Sequence, residues 1–154
     1  MRIYFKNLKP VSTNHAKKLT KNGRMYQTDE TLAFKRAIFF KCLRMKSEFR
    51  EFEENFDPST EYIYALYTFE IPKSKFFTKK GELSKKSIDV DNCVKTLQDA
   101  LFENFELIND AWVKAPLPFA TISSDNNYNI NVVLKKGLIS RIGDTIKQIE
   151  SLVI

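Results

Sequence analysis

The spacing of apolar residues switches repeatedly along this chain between the two-residue period of strands and the 3.6-residue period of helices. Residues 3–8 read as a short strand. Residues 9–27 hold Pro10, Asn14, Gly23 and several cations with little apolar periodicity, which predicts a loop. Thr28 then stands where a helix cap belongs, and Asp29 and Glu30 fall in a first turn whose backbone dipole favours anions. Leu32, Phe39, Leu43 and Phe49 follow at helical intervals, so one helix is expected over 29–52. Asp57-Pro58-Ser59 breaks it. The period then drops to two, and Ile63, Ala65, Tyr67, Phe69 and Ile71 share one face of the clearest strand, 62–71, which Pro72 ends.

Residues 73–86 carry six lysines against the single Glu82 and predict a basic, mobile loop. Over 92–102 the residues Cys93, Val94, Leu97, Ala100 and Leu101 form one stripe, while Asp91, Lys95 and Asp99 recur four apart on the opposite side. Such a helix buries one face and offers the other. Asn104 is placed for a left-handed helix stop, and 106–113 reads as a short return that delivers Asp110. Residues 119–124 and 128–135 look like a hairpin around Asp125-Asn126-Asn127, with Ile130, Val132 and Leu134 alternating. Ile142, Ile146 and Ile149 predict a terminal helix over 140–152. This order predicts an α+β (α/β layer) fold, a mainly antiparallel sheet covered by helices. One domain is expected over 1–154, with a helical extension from about residue 138.

A chain of 154 residues, 43% of them hydrophobic, has enough apolar content for a real core and lies outside the range of disorder. The net charge of +6, with the cations clustered, favours a polyanionic partner. Cys42 and Cys93 each sit within a helical apolar pattern and do not make a secreted disulfide scaffold, so a reducing cytoplasm is expected. No signal-peptide core and no stretch long enough to span a bilayer are present.

Asp89-Val90-Asp91-Asn92, with Lys95 one helical turn on and Asp110 later, is the constellation that carries chemistry. Alternation places Asp89 and Asp91 on one side of an extended segment, where their hard oxygens suit an ion such as Mg²⁺. The plain alternative is that Asp91 caps the helix and Asp89 sits in solvent. An EF-hand is excluded, because counting from Asp89 puts Val94 where that loop needs glycine and Ala100 where it needs glutamate. His15 is the only histidine, which argues against a zinc site and a Ser/Cys triad alike. Lys95 is either half of an ordinary ion pair with Asp91 or an ammonium that stabilises negative charge on a phosphodiester under attack, with Asp99 as its supporting partner. Lys73, Lys75, Lys79, Lys80, Lys85 and Lys86 precede the acids, and Lys17, Lys18, Lys21 and Arg24 form a second basic group beside Asn14, Tyr26 and His15. Cations flanking an acidic centre supply the phosphate affinity a nuclease needs; solvated loops are the bland alternative. Phe76 and Phe77 either stack on bases or are buried.

On Asp89-Val90-Asp91-Asn92, Lys95, Asp99-Ala100-Leu101 and Asn109-Asp110-Ala111-Trp112-Val113, the chain resembles the RusA-type Holliday junction resolvases. Ser12-Thr13-Asn14 and Gly23-Arg24-Met25-Tyr26 before a long helix extend the likeness to most of the chain, from about residue 10 to Val113. The resemblance implies a homodimeric, Mg²⁺-dependent endonuclease of branched DNA, with Mn²⁺ as an alternative ion. Such an enzyme would cleave four-way junctions in recombination and repair, in a phage-like setting. Carried across by position, Asp89, Asp91 and Asp110 would be the metal-binding carboxylates and Lys95 the catalytic cation. From the basic clusters themselves, Asn14, Lys17, Lys18, Arg24, Lys79, Lys80, Lys85 and Lys86 are expected on the DNA. A non-catalytic branched-DNA-binding module is the rival. Two positions depart from the family: Asn109 stands where a second acid is common, and Trp112 where a polar residue is usual.

Overall fold

Eleven residues that alternate between buried and half-buried positions, Glu61–Ile71, form the strand around which the chain is arranged. The computed structural model describes residues 1–19, 21–84 and 88–141. In chain order the elements are β1 (Arg2–Phe5), a one-turn helix α1 (Thr13–Ala16), a small hairpin of β2 (Lys17–Leu19) and β3 (Met25–Gln27), helices α2 (Asp29–Leu43) and α3 (Lys46–Glu54), the long strand β4 (Glu61–Ile71), a short helix α4 (Lys73–Phe76), helix α5 (Val90–Phe102), and strands β5 (Val113–Ile122) and β6 (Asn129–Leu138). A 3₁₀ turn, Asp110–Trp112, leads into β5, and another, Ile139–Arg141, follows β6. The helix expected over 140–152 falls, beyond Arg141, outside the described residues.

The main sheet has the order β1-β6-β4-β5, antiparallel except for the β4–β5 pair. Ile3, Ile63, Ala65, Tyr67, Phe69, Ile130, Val132 and Leu134 are fully shielded on one face. Phe34, Ile38 and Cys42 of α2, Phe49 and Phe52 of α3, and Cys93, Leu97 and Leu101 of α5 join them in one core, which makes the α+β architecture a helical layer on one side of a sheet. Gly137 faces Tyr62 across the β4–β6 ladder, where a Cβ would come within 2.7 Å of the ring.

Several local expectations change. β1 stops at Phe5 because Asn7 turns to a positive φ of 56° and donates its N–H to Asn129 Oδ1. The loop expected over 9–27 contains α1 and the β2–β3 hairpin, held by backbone and side-chain bonds rather than by an apolar stripe. The single helix over 29–52 is two, broken at Arg44-Met45, and its buried residues in α2 are Thr31, Phe34, Ile38 and Cys42, so Leu32, Phe39 and Leu43 lie exposed. The reason is local anchoring: Thr28 caps α2, and Thr31 Oγ1 donates to the Ala16 carbonyl at 3.1 Å, which sets the rotation of the helix. The basic loop over 73–86 includes α4 and a Phe77–Leu83 bridge; Lys85 and Lys86 lie outside the described residues.

The hairpin expected from residues 119–135 is not one. β5 and β6 do follow each other in antiparallel directions, but β4 lies between them. β5 carries Pro116 and Pro118, which lack the N–H of a central strand and suit an edge. The intervening loop crosses the end of β4, with Ser123 N–H on the Ile71 carbonyl and Asn129 Nδ2 on Glu70.

Candidate nuclease site

Helix α5 begins at Val90 because Asp89 caps it, accepting from the Asn92 N–H at 3.5 Å and from Asn92 Nδ2 at 2.5 Å. This corrects the extended pattern: Asp91 lies in the first turn of the helix, and the cap is Asp89 rather than Asp91. Both carboxylates are exposed at a helix N-terminus, where the unpaired backbone N–H groups favour negative charge. The Asn92 Oδ1 accepts from Thr13 Oγ1 at 2.9 Å. A hydrogen-bonded line thus runs from Asp89 through Asn92 to α1, whose own cap is Ser12.

The apolar stripe of α5 is buried as expected, together with Thr96 and Phe102. Lys95 points outward and stands 3.9 Å from Asp99, so its ion-pair partner is the residue one turn ahead rather than Asp91. Asn109 caps the 3₁₀ turn that starts at Asp110, accepting from the Ala111 N–H at 3.0 Å. Asparagine supplies that cap as well as an acid would, and Trp112 packs edge-on against Phe56 with ring centroids 5.8 Å apart. Asp110 is half-buried. Burial, and then the charge of Asp110, push the Tyr67 hydroxyl well above its ordinary range, and that hydroxyl donates to Gln98 of α5 at 3.0 Å. The Asp110–Trp112 turn itself lies against α5, the helix that carries Lys95.

Among the described residues no three His, Cys, Asp or Glu side chains come together closely enough to hold a metal ion. The chemistry of the donors still fits Mg²⁺, which binds through one or two carboxylates and fills its remaining positions with water and phosphate oxygens. Cysteine chemistry is disfavoured. Burial pushes the Cys42 thiol up to about 12, and burial with the nearby Asp89 charge pushes Cys93 up to about 11.

Of the residues expected on DNA, Asn14, Lys17, Lys18 and Arg24 are exposed on α1 and the hairpin, and Lys79 and Lys80 on a tight turn after α4. Phe76 and Phe77 are half-buried against each other, 5.3 Å between centroids.

Three positioning groups were not legible from spacing. Glu53 of α3 is buried and accepts the Leu107 and Ile108 N–H groups at 2.6 and 3.2 Å, immediately before Asn109-Asp110. Nothing in the Glu53-Glu54 doublet marks one as buried. Thr13 needs the fold to find Asn92. The Tyr67–Gln98 bond had one signal: a hydroxyl on the inward face of an otherwise apolar strand.

Exposed carboxylates beside a cation on a helix mouth, with the basic α1 and β2–β3 segment bonded to it through Thr13, suit a protein that handles phosphodiesters. The family described as Endodeoxyribonuclease RusA matches residues 7–132, most of the chain, and the chain belongs to that family. It is an endodeoxyribonuclease of the Holliday junction resolvase kind. A comparison with curated proteins gives no match. Among the described residues no helix is long and apolar enough to cross a membrane.

Proposed function

We propose that the protein cuts four-way DNA junctions by Mg²⁺-dependent hydrolysis, as a homodimer acting in DNA recombination and repair. The observation that supports this best is the meeting on α5 of the Asp89–Asn92–Thr13 line, the outward Lys95–Asp99 pair and the Asp110–Trp112 turn packed against the helix, within a chain of the RusA endodeoxyribonuclease family.

Asp89, Asp91 and Asp110 are the carboxylates that would hold the ion, directly or through its water, with Mn²⁺ able to replace Mg²⁺. When bound, the ion supplies Lewis-acid polarisation of the phosphate and a more acidic water. The chain's own groups do the rest. Lys95 places an ammonium against the negative charge that builds on the phosphate oxygens, and Asp99 keeps that ammonium on the working face of the helix. Lys17, Lys18, Arg24, Lys79 and Lys80 bind neighbouring phosphates, and Asn14 stands beside them on α1; the same role is assigned to Lys85 and Lys86. Two copies related by a twofold axis match paired cuts in opposing strands.

Cleavage of a labelled synthetic four-way junction, with and without Mg²⁺, beside a matched linear duplex, tests the proposal. Wild type is expected to nick the junction symmetrically only with the metal, and Asp91→Asn to bind without cutting. Tight junction binding with no cutting under any divalent ion would replace the enzyme with a binding module.

A further inference from the structure

Strands β2 and β3 leave all their residues but the half-buried Gln27 exposed to water. Leu19 and Met25 face one another across this hairpin and are 70% and 65% exposed, and Tyr26, opposite Lys18, is 48% exposed. A two-stranded ribbon this short gains nothing from holding an apolar pair in solvent. Residues 12–28 contain no acid, while Lys17, Lys18 and Lys21 enter no ion pair among the described residues. The surface is thus cationic and apolar together, which fits a polyanion that also offers flat apolar faces: nucleic acid at a place where base stacking is interrupted.

The base of the hairpin is fixed and lies at the candidate site. Thr28 donates its N–H to the Ala16 carbonyl and its hydroxyl to the His15 carbonyl, both at 3.1 Å, and the Thr31 hydroxyl also donates to Ala16. Through Thr13, α1 is bonded to Asn92 beside Asp89. Gly23, at a φ of 75°, occupies a left-handed position in the connecting turn. With an extended rise of about 3.3 Å per residue, the Leu19–Met25 pair stands about 10 Å beyond Ala16. An anchored base and a projecting apolar pair make a wedge set at a defined reach from the carboxylates.

We infer that Leu19 and Met25 insert at the branch point of the DNA, with Lys17, Lys18 and Lys21 on the flanking phosphates. This rests on the protein being a branched-DNA endonuclease. Leu and Met are among the side chains that wedge between base steps, and a branch point is easier to open than continuous duplex because its stacking is already interrupted. The wedge therefore sets the preference for branched over linear DNA, while the lysines bind both alike. Phe76 and Phe77, half-buried against each other, do not offer such a pair.

A four-way junction carrying 2-aminopurine next to the branch reports the insertion, read in chelator so that binding is measured without cutting. Wild type is expected to raise the fluorescence and to bind the junction better than a matched duplex. In Leu19→Ser/Met25→Ser the fluorescence rise is lost and the junction-over-duplex ratio falls about tenfold, with duplex affinity and the slope of log K against log salt unchanged. The apolar exchange Leu19→Met/Met25→Leu retains both, which separates insertion from a general loss of folding. Lys17→Ala/Lys18→Ala weakens junction and duplex together and flattens the salt slope. If the serine variant keeps the fluorescence rise and the ratio while wild type cuts junctions with Mg²⁺, the wedge is wrong and the endonuclease assignment stands. If wild type neither prefers nor cuts junctions, both fall.

Discussion

Lys95 concentrates the candidate chemistry in one side chain. Its 3.9 Å pairing with Asp99 is exposed and contributes at most about 1 kcal/mol to folding, so replacing it leaves the fold intact. Lys95→Ala is expected to slow junction cleavage about 10²- to 10³-fold in single turnover, with binding by gel shift nearly unchanged. Asp99→Asn, which keeps the ammonium but loosens its placement, loses less. In the loop between β5 and β6, Asp125 shows what one carboxylate does for stability. The Ser123 hydroxyl, the Asn127 N–H and Asn129 Nδ2 hold its carboxyl well below the ordinary 3.8. A depressed carboxyl stabilises the folded state above its unfolded pKa and loses that effect as pH falls toward the folded one. Melting curves of wild type and Asp125→Ala are expected to differ by a constant amount down to about pH 5 and to converge below about pH 4.

Among the elements, α3 explains how the Asp110 turn is held. Phe49 and Phe52 pack on Phe105 with centroids 4.6 and 6.1 Å apart, Glu53 takes the Leu107 and Ile108 N–H groups, and Phe56 meets Trp112. These contacts clasp the 105–112 segment on both sides of Asn109-Asp110. Glu53→Ala leaves two backbone donors without their acceptor and is expected to cost about 1–3 kcal/mol in denaturant melts, while Glu53→Gln, which keeps an acceptor oxygen, costs less. The clasp also accounts for the break at Arg44-Met45. No glycine or proline marks it in the sequence, because the demand comes from a segment fifty or more residues later. β4 and α5, by contrast, were legible in the sequence, since each carries a clear period and buries the face that period selects, with Tyr62, Thr96 and Phe102 buried in addition.

At the scale of the whole molecule, the RusA match over residues 7–132 takes in both basic segments, the α5 mouth and the Asp110 turn, and reaches into β6. A metal shared by those carboxylates would bind the native state and not the unfolded chain. Mg²⁺ is therefore expected to raise the melting temperature, by an amount equivalent to about 2.7 kcal/mol at a hundredfold excess over Kd, and to raise it less in Asp91→Asn. Equal shifts in the two proteins would remove Asp91 from the ion's ligands. Differential scanning fluorimetry at constant ionic strength makes the comparison.

The sequence by itself determined the α+β class, the central strand, the buried stripe of α5 and the residues that mark the family, because periodicity and local motifs are properties of neighbouring positions. Tertiary structure decided the rest. It set β4 between β5 and β6, since strand order depends on which edges find partners and not on which strands are adjacent in the chain. It turned α2 so that Phe34, Ile38 and Cys42 face inward, through bonds from Thr31 to Ala16. It also joined Thr13 to Asn92 and Glu53 to the Asp110 turn, contacts across 79 and 54–55 residues that exist only once the chain has closed on itself.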